Sequence, residues 1–470
     1  MKNFFTSAMA LMAWYMLLFS SLNEAKAQPT PVDPQTAAHL QTQLDLLVAA
    51  NNLKGLSASV IIPGRGTWNG VSGISHGNVP IDSSMVFRLA SITKNFTATA
   101  ILLLQEDTLL SISDPLHKFL PSYPNIDPNI TIKQLLQHTS GIYSYTNNSN
   151  FWNAVNSNPS TAMTPQHVLN NYVNAPPFAP GVIHYYSNTN YLLLRLIIEQ
   201  VTGQSYAAFI RQRLLDPLQL TSFYVAEQEA AVGVMPHNWV SANPWDPGND
   251  IYTQPMTAIV GSSVGDNALV GNAYDLARWG QLLFTGQVLQ QSSLWEMRQF
   301  FQFNGGSITG YGLGLIRYAN GIAQAWGHGG QISGFSSSFM YSPADNIVVS
   351  VLANRQTIGD NLAWSLLTAA RHQLVTAAPG EVGRLHDGLV CFPNPVKGQG
   401  SIRYTLRKAQ PVDITLQNSL GQTVKTLLSQ PLQAGEHSLT VDTSTLPSGM
   451  YFCTLQTATS KVVQRWVVTQ

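Results

Sequence analysis

Between Thr376 and Gly388 the regular alternation of helix and strand signals lapses into Ala, Pro and Gly with scattered charges, and the sequence differs in kind on its two sides. A break of this sort divides the chain into separately folding units. At 470 residues the chain also exceeds one typical domain of roughly 100–200 residues. After the break come Ser401–Leu406, Val412–Gln417, Thr423–Leu428, Glu436–Val441, Met450–Gln456 and Val462–Val468, short strands separated by turn signals such as Ser419-Leu420-Gly421 and Pro447-Ser448-Gly449. They predict a small all-β sandwich. No catalytic constellation lies among them.

Before the break the signals are mixed. Leu40, Leu44, Leu47 and Val48 fall three and four apart and predict an amphipathic helix over His39–Asn51. Ser57–Ile62, a turn through Gly64 and Gly66, and Trp68–Ile74 predict an antiparallel strand pair. A second strand group is predicted at Gln331–Tyr341 and Ile347–Ala353 around a Pro-Ala-Asp-Asn turn, followed by a helix from Leu362 to Val375. Between the two groups lie helical runs at Thr97–Gln105, Thr131–Gln137, Tyr191–Val201, Tyr206–Leu214 and Asp275–Leu283. The expected α/β architecture is a sheet split in sequence around an inserted helical lobe.

The N-terminus carries Lys2, an apolar stretch from Ala8 to Leu22 and the small-x-small site Ala25-Lys26-Ala27 before Gln28, the layout of a cleaved secretory signal peptide. A membrane anchor needs about 20 apolar residues, and Ser20 and Ser21 interrupt this run. The expected division is therefore signal peptide 1–27, catalytic domain 28–378, linker 379–388 and β-sandwich 389–470. Basic and acidic residues balance at 24 each with no like-charge run, so neither nucleic acid nor an anionic membrane surface is an expected partner. The two cysteines, Cys391 and Cys453, fit a disulfide or reduced core thiols equally.

Chemistry concentrates in a few places. Ser91-Ile92-Thr93-Lys94 sets a hydroxyl and an amine one helical turn apart on a shared face. An adjacent base activates serine, and a lysine desolvated by apolar neighbours can serve. Ser-x-x-Lys is expected about once or twice by chance in such a chain, and here it occurs once. A helix cap followed by a solvated lysine is the plainer alternative. Gln134–Ile142 closes a helix through a turn containing Gly141; the plainer reading is a capped helix end with His138 bonding locally. Tyr186-Ser187-Asn188 places a phenol and an amide on a loop before an apolar helix, and a phenol beside a cation can act as general base. His328-Gly329-Gly330 leads into a predicted strand, where glycines allow close backbone approach. The N–H of Gln331, with that of Ser91, would stabilise an oxyanion there.

The order Ser91-Ile92-Thr93-Lys94, Leu135-Leu136-Gln137-His138-Thr139-Ser140-Gly141, Tyr186-Ser187-Asn188, Tyr311-Gly312-Leu313-Gly314, Gly327-His328-Gly329-Gly330 resembles the serine β-lactamase and penicillin-binding-protein family, in particular class C β-lactamases and D-alanyl-D-alanine carboxypeptidases. The resemblance spans residues 37 to 375. It implies an α/β/α sandwich with an antiparallel sheet and a helical lobe, the site lying between them. It further implies acylation of Ser91, proton traffic shared by Lys94 and Tyr186, a substrate carbonyl on Asn188, and His328, Gly330 and Gln331 along the substrate edge. Which of Lys94 and Tyr186 is the acylation base stays open. Histidine at 328 is closer to the peptidase and esterase branches than to dedicated β-lactamases.

The tail has a resemblance of its own. Phe392-Pro393-Asn394-Pro395, Asn418–Gln422, Ala434-Gly435 and Leu446–Tyr451 are similar to the C-terminal sorting domain of type IX secretion substrates, with Phe392 in place of the usual tyrosine. This implies export and engagement of the type IX machinery; a glycan-binding sandwich is the rival.

Taken together, these features predict a secreted or surface-bound serine hydrolase that uses no cofactor. Its substrate would be a small peptide, an ester or, as a side activity, a β-lactam. Two alternatives compete: an inactive binding module on the same fold, and an α/β-hydrolase using Ser263 within Gly261-Ser262-Ser263-Val264-Gly265. No His-x-His or His-Glu-x-x-His occurs among eleven histidines, so no metal is expected.

Overall fold

The computed structural model describes residues 30–240, 248–303, 306–320, 323–357, 359–376, 389–392, 396–406, 408–418, 422–457 and 461–469. The predicted signal peptide and linker lie outside them, as do Pro393–Pro395 and Ser419–Gly421 of the tail motifs. The chain divides into two compact units, Met1–Ala377 and Ala378–Gln470.

The first unit is organised by a nine-stranded sheet. Its strands are β1 (Gly55–Ile62), β2 (Gly66–His76), β3 (Val79–Pro80), β4 (Phe301–Gln302), β5 (Ile308–Tyr311), β6 (Ile316–Asn320), β7 (Ala323–Ile332), β8 (Phe335–Tyr341) and β9 (Val348–Ala353). They pair antiparallel in the order β3-β2-β1-β9-β8-β7-β6-β5-β4. The N-terminal and C-terminal strand groups meet where Ala58 faces Val351 and Val60 faces Val349. Every residue of β1, β8 and β9 is buried, as central strands covered on both faces must be.

Two helices, α1 (Pro34–Ala50) and a later one at Gly359–Thr376, cover one face and share a core with Leu40, Leu44, Val60, Val349, Leu362 and Leu366. Asp33 caps α1 by accepting from the Thr36 N–H at 2.9 Å, and Pro34 takes the first helical position, where no N–H is needed. The other face carries the helical lobe, whose core includes Phe96, Leu193, Phe223 and Trp279. Phe96 stacks on Trp279 at 3.9 Å, a contact worth about 1 kcal/mol beyond the buried area.

One element departs from expectation. Gln331–Tyr341 is not a single strand: Ser333 and Gly334 form a tight turn joining β7 to β8, with Gly334 at a φ of +77°. His328, Gly329 and Gly330 therefore lie inside a strand rather than ahead of one, and the turn's second residue is glycine because its positive φ carries a steric cost for other residues.

In the second unit the described residues form seven strands, β10 (Val390–Phe392), β11 (Gln399–Leu406), β12 (Gln410–Gln417), β13 (Thr423–Leu432), β14 (Gly435–Asp442), β15 (Gly449–Thr457) and β16 (Lys461–Val468). They make two small sheets in the orders β10-β11-β14 and β13-β12-β15-β16. Ile402, Ile414, Leu455 and Trp466 fill its core, and Cys391 and Cys453 are both buried thiols within it.

Candidate active site

Ser91 sits in one turn of 3₁₀ helix, Ala90–Ile92, that runs directly into α2 (Thr93–Glu106). Ala90 enters this turn at a φ of +50°, an uncommon conformation for a residue with a side chain. All of α2 from Thr93 to Leu104 is buried, so Lys94, one turn beyond Ser91, is held in a dry environment at 0% exposure. Its Nζ donates to Ser91 Oγ at 3.1 Å and to the Asp266 carbonyl oxygen at 3.0 Å. A buried ammonium with oxygen acceptors is tolerable; without them it would cost several kcal/mol.

The loop carrying Tyr186 enters from the opposite side. Lys94 Nζ lies 5.0 Å from the centre of the Tyr186 ring and 5.7 Å from that of Tyr191. Two helices bound this part of the site, α3 (Ile132–Leu136) and α4 (Asn188–Thr202); Ser187 holds the N-cap position of α4 without a side-chain capping bond. Asn188 donates from Nδ2 to Thr146 Oγ1 at 3.0 Å, while its Oδ1 is buried without a partner. The plainer reading, a His138 side chain bonding locally, does not hold. Its Nδ1 accepts from the Ser187 N–H and from Asn190 Nδ2, both at 3.2 Å.

The third wall is β7. Gly330 fits because a Cβ there would stand 2.3 Å from the Leu89 carbonyl oxygen and 2.9 Å from the Ser91 nitrogen. Ser337, opposite Gly330 on β8, donates to the same Leu89 carbonyl at 2.7 Å, tying the strand to the nucleophile's turn. The Gln331 side chain turns away and donates to the Thr357 carbonyl. His328 is buried, with Nε2 at 2.9 Å from Tyr311 Oη and Nδ1 at 2.6 Å from the Gly329 carbonyl oxygen. Tyr311 and Gly314 reach the same place: Gly314 packs against the Lys94 carbonyl and accepts from Asn95 Nδ2 at 2.9 Å.

Burial governs the electrostatics. It lowers the His328 pKa to about 3, with the Lys94 charge adding to the effect, and lowers that of His184 to about 4. His138 is pushed well below its ordinary value by burial and then by His184, Lys94 and His328. Asp266 moves the other way: burial raises it to about 6, against the opposing pull of Lys94 and the hydrogen bond from Tyr145 Oη at 2.8 Å. Lys94 is thus surrounded by neutral imidazoles rather than further cations.

Residues 35–371 match the family model described as Beta-lactamase. The chain belongs to the beta-lactamase family. Residues 390–469 match the Secretion system C-terminal sorting domain, so this family member is exported by type IX secretion to the cell surface or beyond. A D-stereospecific amidohydrolase from Streptomyces sp. is similar at 30% identity and a TM-score of 0.62, covering 71% of this chain and 98% of that one. A D-amino acid amidase from Ochrobactrum anthropi SV3 shares the fold at 24% identity and a TM-score of 0.64, covering 72% and 99%. A penicillin-binding protein of Bacillus subtilis (strain 168) is 26% identical over 306 residues, 63% of this chain. The match spans 66% of that relative's length. The family is one of serine hydrolases, and among the described residues no helix is long and apolar enough to cross a membrane.

Within the beta-lactamase framework the rival nucleophile fails. Ser263 follows a helix, Thr257–Ser262, not a strand, and its buried hydroxyl donates to the Ile259 carbonyl at 2.6 Å. Two residues that sequence reasoning gave no role matter here: Asp266 and Tyr145 form the floor beneath Lys94. Asp266 is 172 residues from Lys94, and no local pattern announces the contact.

Proposed function

We propose that this exported protein hydrolyses small esters and amides through an acyl-enzyme on Ser91. The observation that carries the reading is the 3.1 Å approach of a fully buried Lys94 Nζ to the partly buried Ser91 Oγ. In the proposed reaction Ser91 Oγ attacks the substrate carbonyl carbon. The hydroxyl proton passes into the Lys94–Tyr186 pair and on to the leaving alcohol or amine. Water then attacks the ester on Ser91, the pair takes its proton, and serine is restored as the acid departs.

Strand register supports an oxyanion site. In a two-residue hairpin the pair beside the turn, Ile332 with Phe335, exchanges both hydrogen bonds, so the next pair, Gln331 with Ser336, does not. The Gln331 N–H then faces the other edge of β7, where pairing with β6 has ended at Gly327. With Gly330 against the Ser91 nitrogen, the two N–H groups can converge on one oxygen. Asn188 would hold the acyl side through its remaining amide N–H.

His328 favours substrates without a free carboxylate. Both of its ring nitrogens are bonded internally and the ring is neutral, so this position offers no charge to a C-terminal carboxylate. Esters and amides, including D-amino acid amides, rank above D-Ala-D-Ala peptides and β-lactams. A location outside the outer membrane fits that order, since peptidoglycan lies in the periplasm. Removal of residues 1–27 as a signal peptide belongs to the same proposal.

The full chain assayed on p-nitrophenyl butyrate, D-phenylalanine amide, an N-acyl-D-Ala-D-Ala peptide and nitrocefin tests the reading. Turnover of the first two at higher kcat/KM than the last two is expected. Preference for the dipeptide would make the protein a carboxypeptidase, and no turnover of any would make it a binding module.

A further inference from the structure

We infer that His138 is a positioning residue for Tyr186, clamping the backbone on both sides of the phenol; this rests on the Ser91 acyl-enzyme reading. The His138 carbonyl oxygen accepts from the Tyr185 N–H at 2.8 Å, and its Nδ1 accepts from the Ser187 N–H at 3.2 Å. One residue therefore ties down the backbone N–H groups of both residues that flank Tyr186. The imidazole also packs on the phenol itself, with ring centres 4.2 Å apart and planes 38° apart.

The geometry of His138 is specialised for this. It follows the short helix α3, where a capping box between Thr131 and Gln134 fixes the start, and it takes a φ of +57°. That turn swings the ring into the lobe instead of along the helix. Two donors converge on Nδ1, so the ring proton belongs on Nε2. Nε2 is buried with no hydrogen-bond partner, inside a cluster formed by the rings of His184, Tyr186, Tyr191 and Tyr311. An imidazole serving only as packing would have no need of a buried polar nitrogen, which an apolar ring of similar size would avoid.

Asn190 completes the clamp. It donates to His138 Nδ1 and to the Leu135 carbonyl, and accepts from Ser140 Oγ at 2.7 Å. The end of α3, the turn after it and the first turn of α4 are locked as one block. Tyr186 itself is more than one-third exposed, so its own packing does not hold it. The clamp supplies the order that the side chain lacks.

The test compares His138→Asn with His138→Gln and His138→Leu in the full chain, with and without Tyr186→Phe. Asparagine tolerates positive φ and sets an acceptor near the place of Nδ1; glutamine reaches the place of Nε2, and leucine supplies no acceptor. Folding is checked by circular dichroism, and kcat and KM are read on p-nitrophenyl butyrate. The Leu and Gln variants should lose on the order of 10²-fold in kcat with KM within about 2-fold, the size expected of a misplaced catalytic group. Asn should recover most of the loss. In the Tyr186→Phe background the same changes should cost less than about 2-fold, because the group being positioned is gone. If Leu does not fold, Gln carries the comparison. Wild-type kcat in a folded Gln variant, no recovery by Asn, or an equal loss with and without Tyr186 overturns the inference. A fluorophosphonate reaction of the wild type separates the two levels: no labelling overturns the Ser91 reading, whereas labelling at the same rate in wild type and Gln variant overturns only the clamp.

Discussion

Gly330 lies so close to the backbone nitrogen of Ser91 that a methyl group on residue 330 would stand 2.9 Å from it and 2.3 Å from the Leu89 carbonyl oxygen. Both atoms belong to main chain, so neither can swing aside.

Gly330→Ala should therefore push β7 away from the nucleophile. We expect a stability loss of about 1–3 kcal/mol from overpacking and a fall in kcat/KM on the order of 10²-fold as the two N–H groups separate. Urea unfolding and ester kinetics measure the two effects separately.

Lys94→Met replaces the buried amine by an apolar chain of similar length. The fold should persist, because removal of the ammonium's desolvation cost offsets the about 1–3 kcal/mol lost when the buried Asp266 carbonyl is left without this donor. Turnover should fall by roughly 10²–10⁴-fold, the range of a lost acid–base group. Retention of wild-type kcat in the folded variant would exclude Lys94 from the proton path.

Stability should fall as the medium is acidified below pH 6.5. His328 is held neutral at a pKa of about 3, so its contribution is complete above the unfolded value of about 6.5 and is lost as pH falls through 3. At pH 5 this amounts to about 2 kcal/mol. His184, at about 4, and His138 act in the same direction. Asp266, raised to about 6, opposes them: its ionisation destabilises the fold, so acidification from pH 6 toward 4 returns about 1 kcal/mol by pH 5. Urea midpoints from pH 7.5 to 5 should decline overall, and His328→Gln should flatten the decline. Midpoints that rise toward acid would contradict this account.

Ser263→Ala should leave ester turnover within about 2-fold of wild type. Its hydroxyl donates to carbonyls of the preceding helix and touches the site only through Tyr145, so the loss is hydrogen bonding worth about 1 kcal/mol.

Much of this was legible in the sequence because it is local. The Ser91–Lys94 pair follows from helical spacing, and the split sheet follows from two groups of strand signals around apolar helices. The hairpin at Ser333-Gly334 has little signature in the sequence, since Ser336-Ser337-Ser338 beside it leave no apolar pattern for the turn to break. The side-chain partners of His138, Ser187 and Asn190, are 49 and 52 residues away, so no local pattern points to them. Asp266 escaped notice for the same reason. Burial that reverses the expected charge of a side chain, as at His328, is set by tertiary packing and has no local signature.

The most direct measurement is intact-mass and peptide mapping after reaction with a fluorophosphonate, on the wild type and on Ser91→Ala. One phosphonyl adduct per chain, located on Ser91 and absent from the variant, is the predicted result. An adduct on any other residue, or an unmodified wild type, would contradict the account.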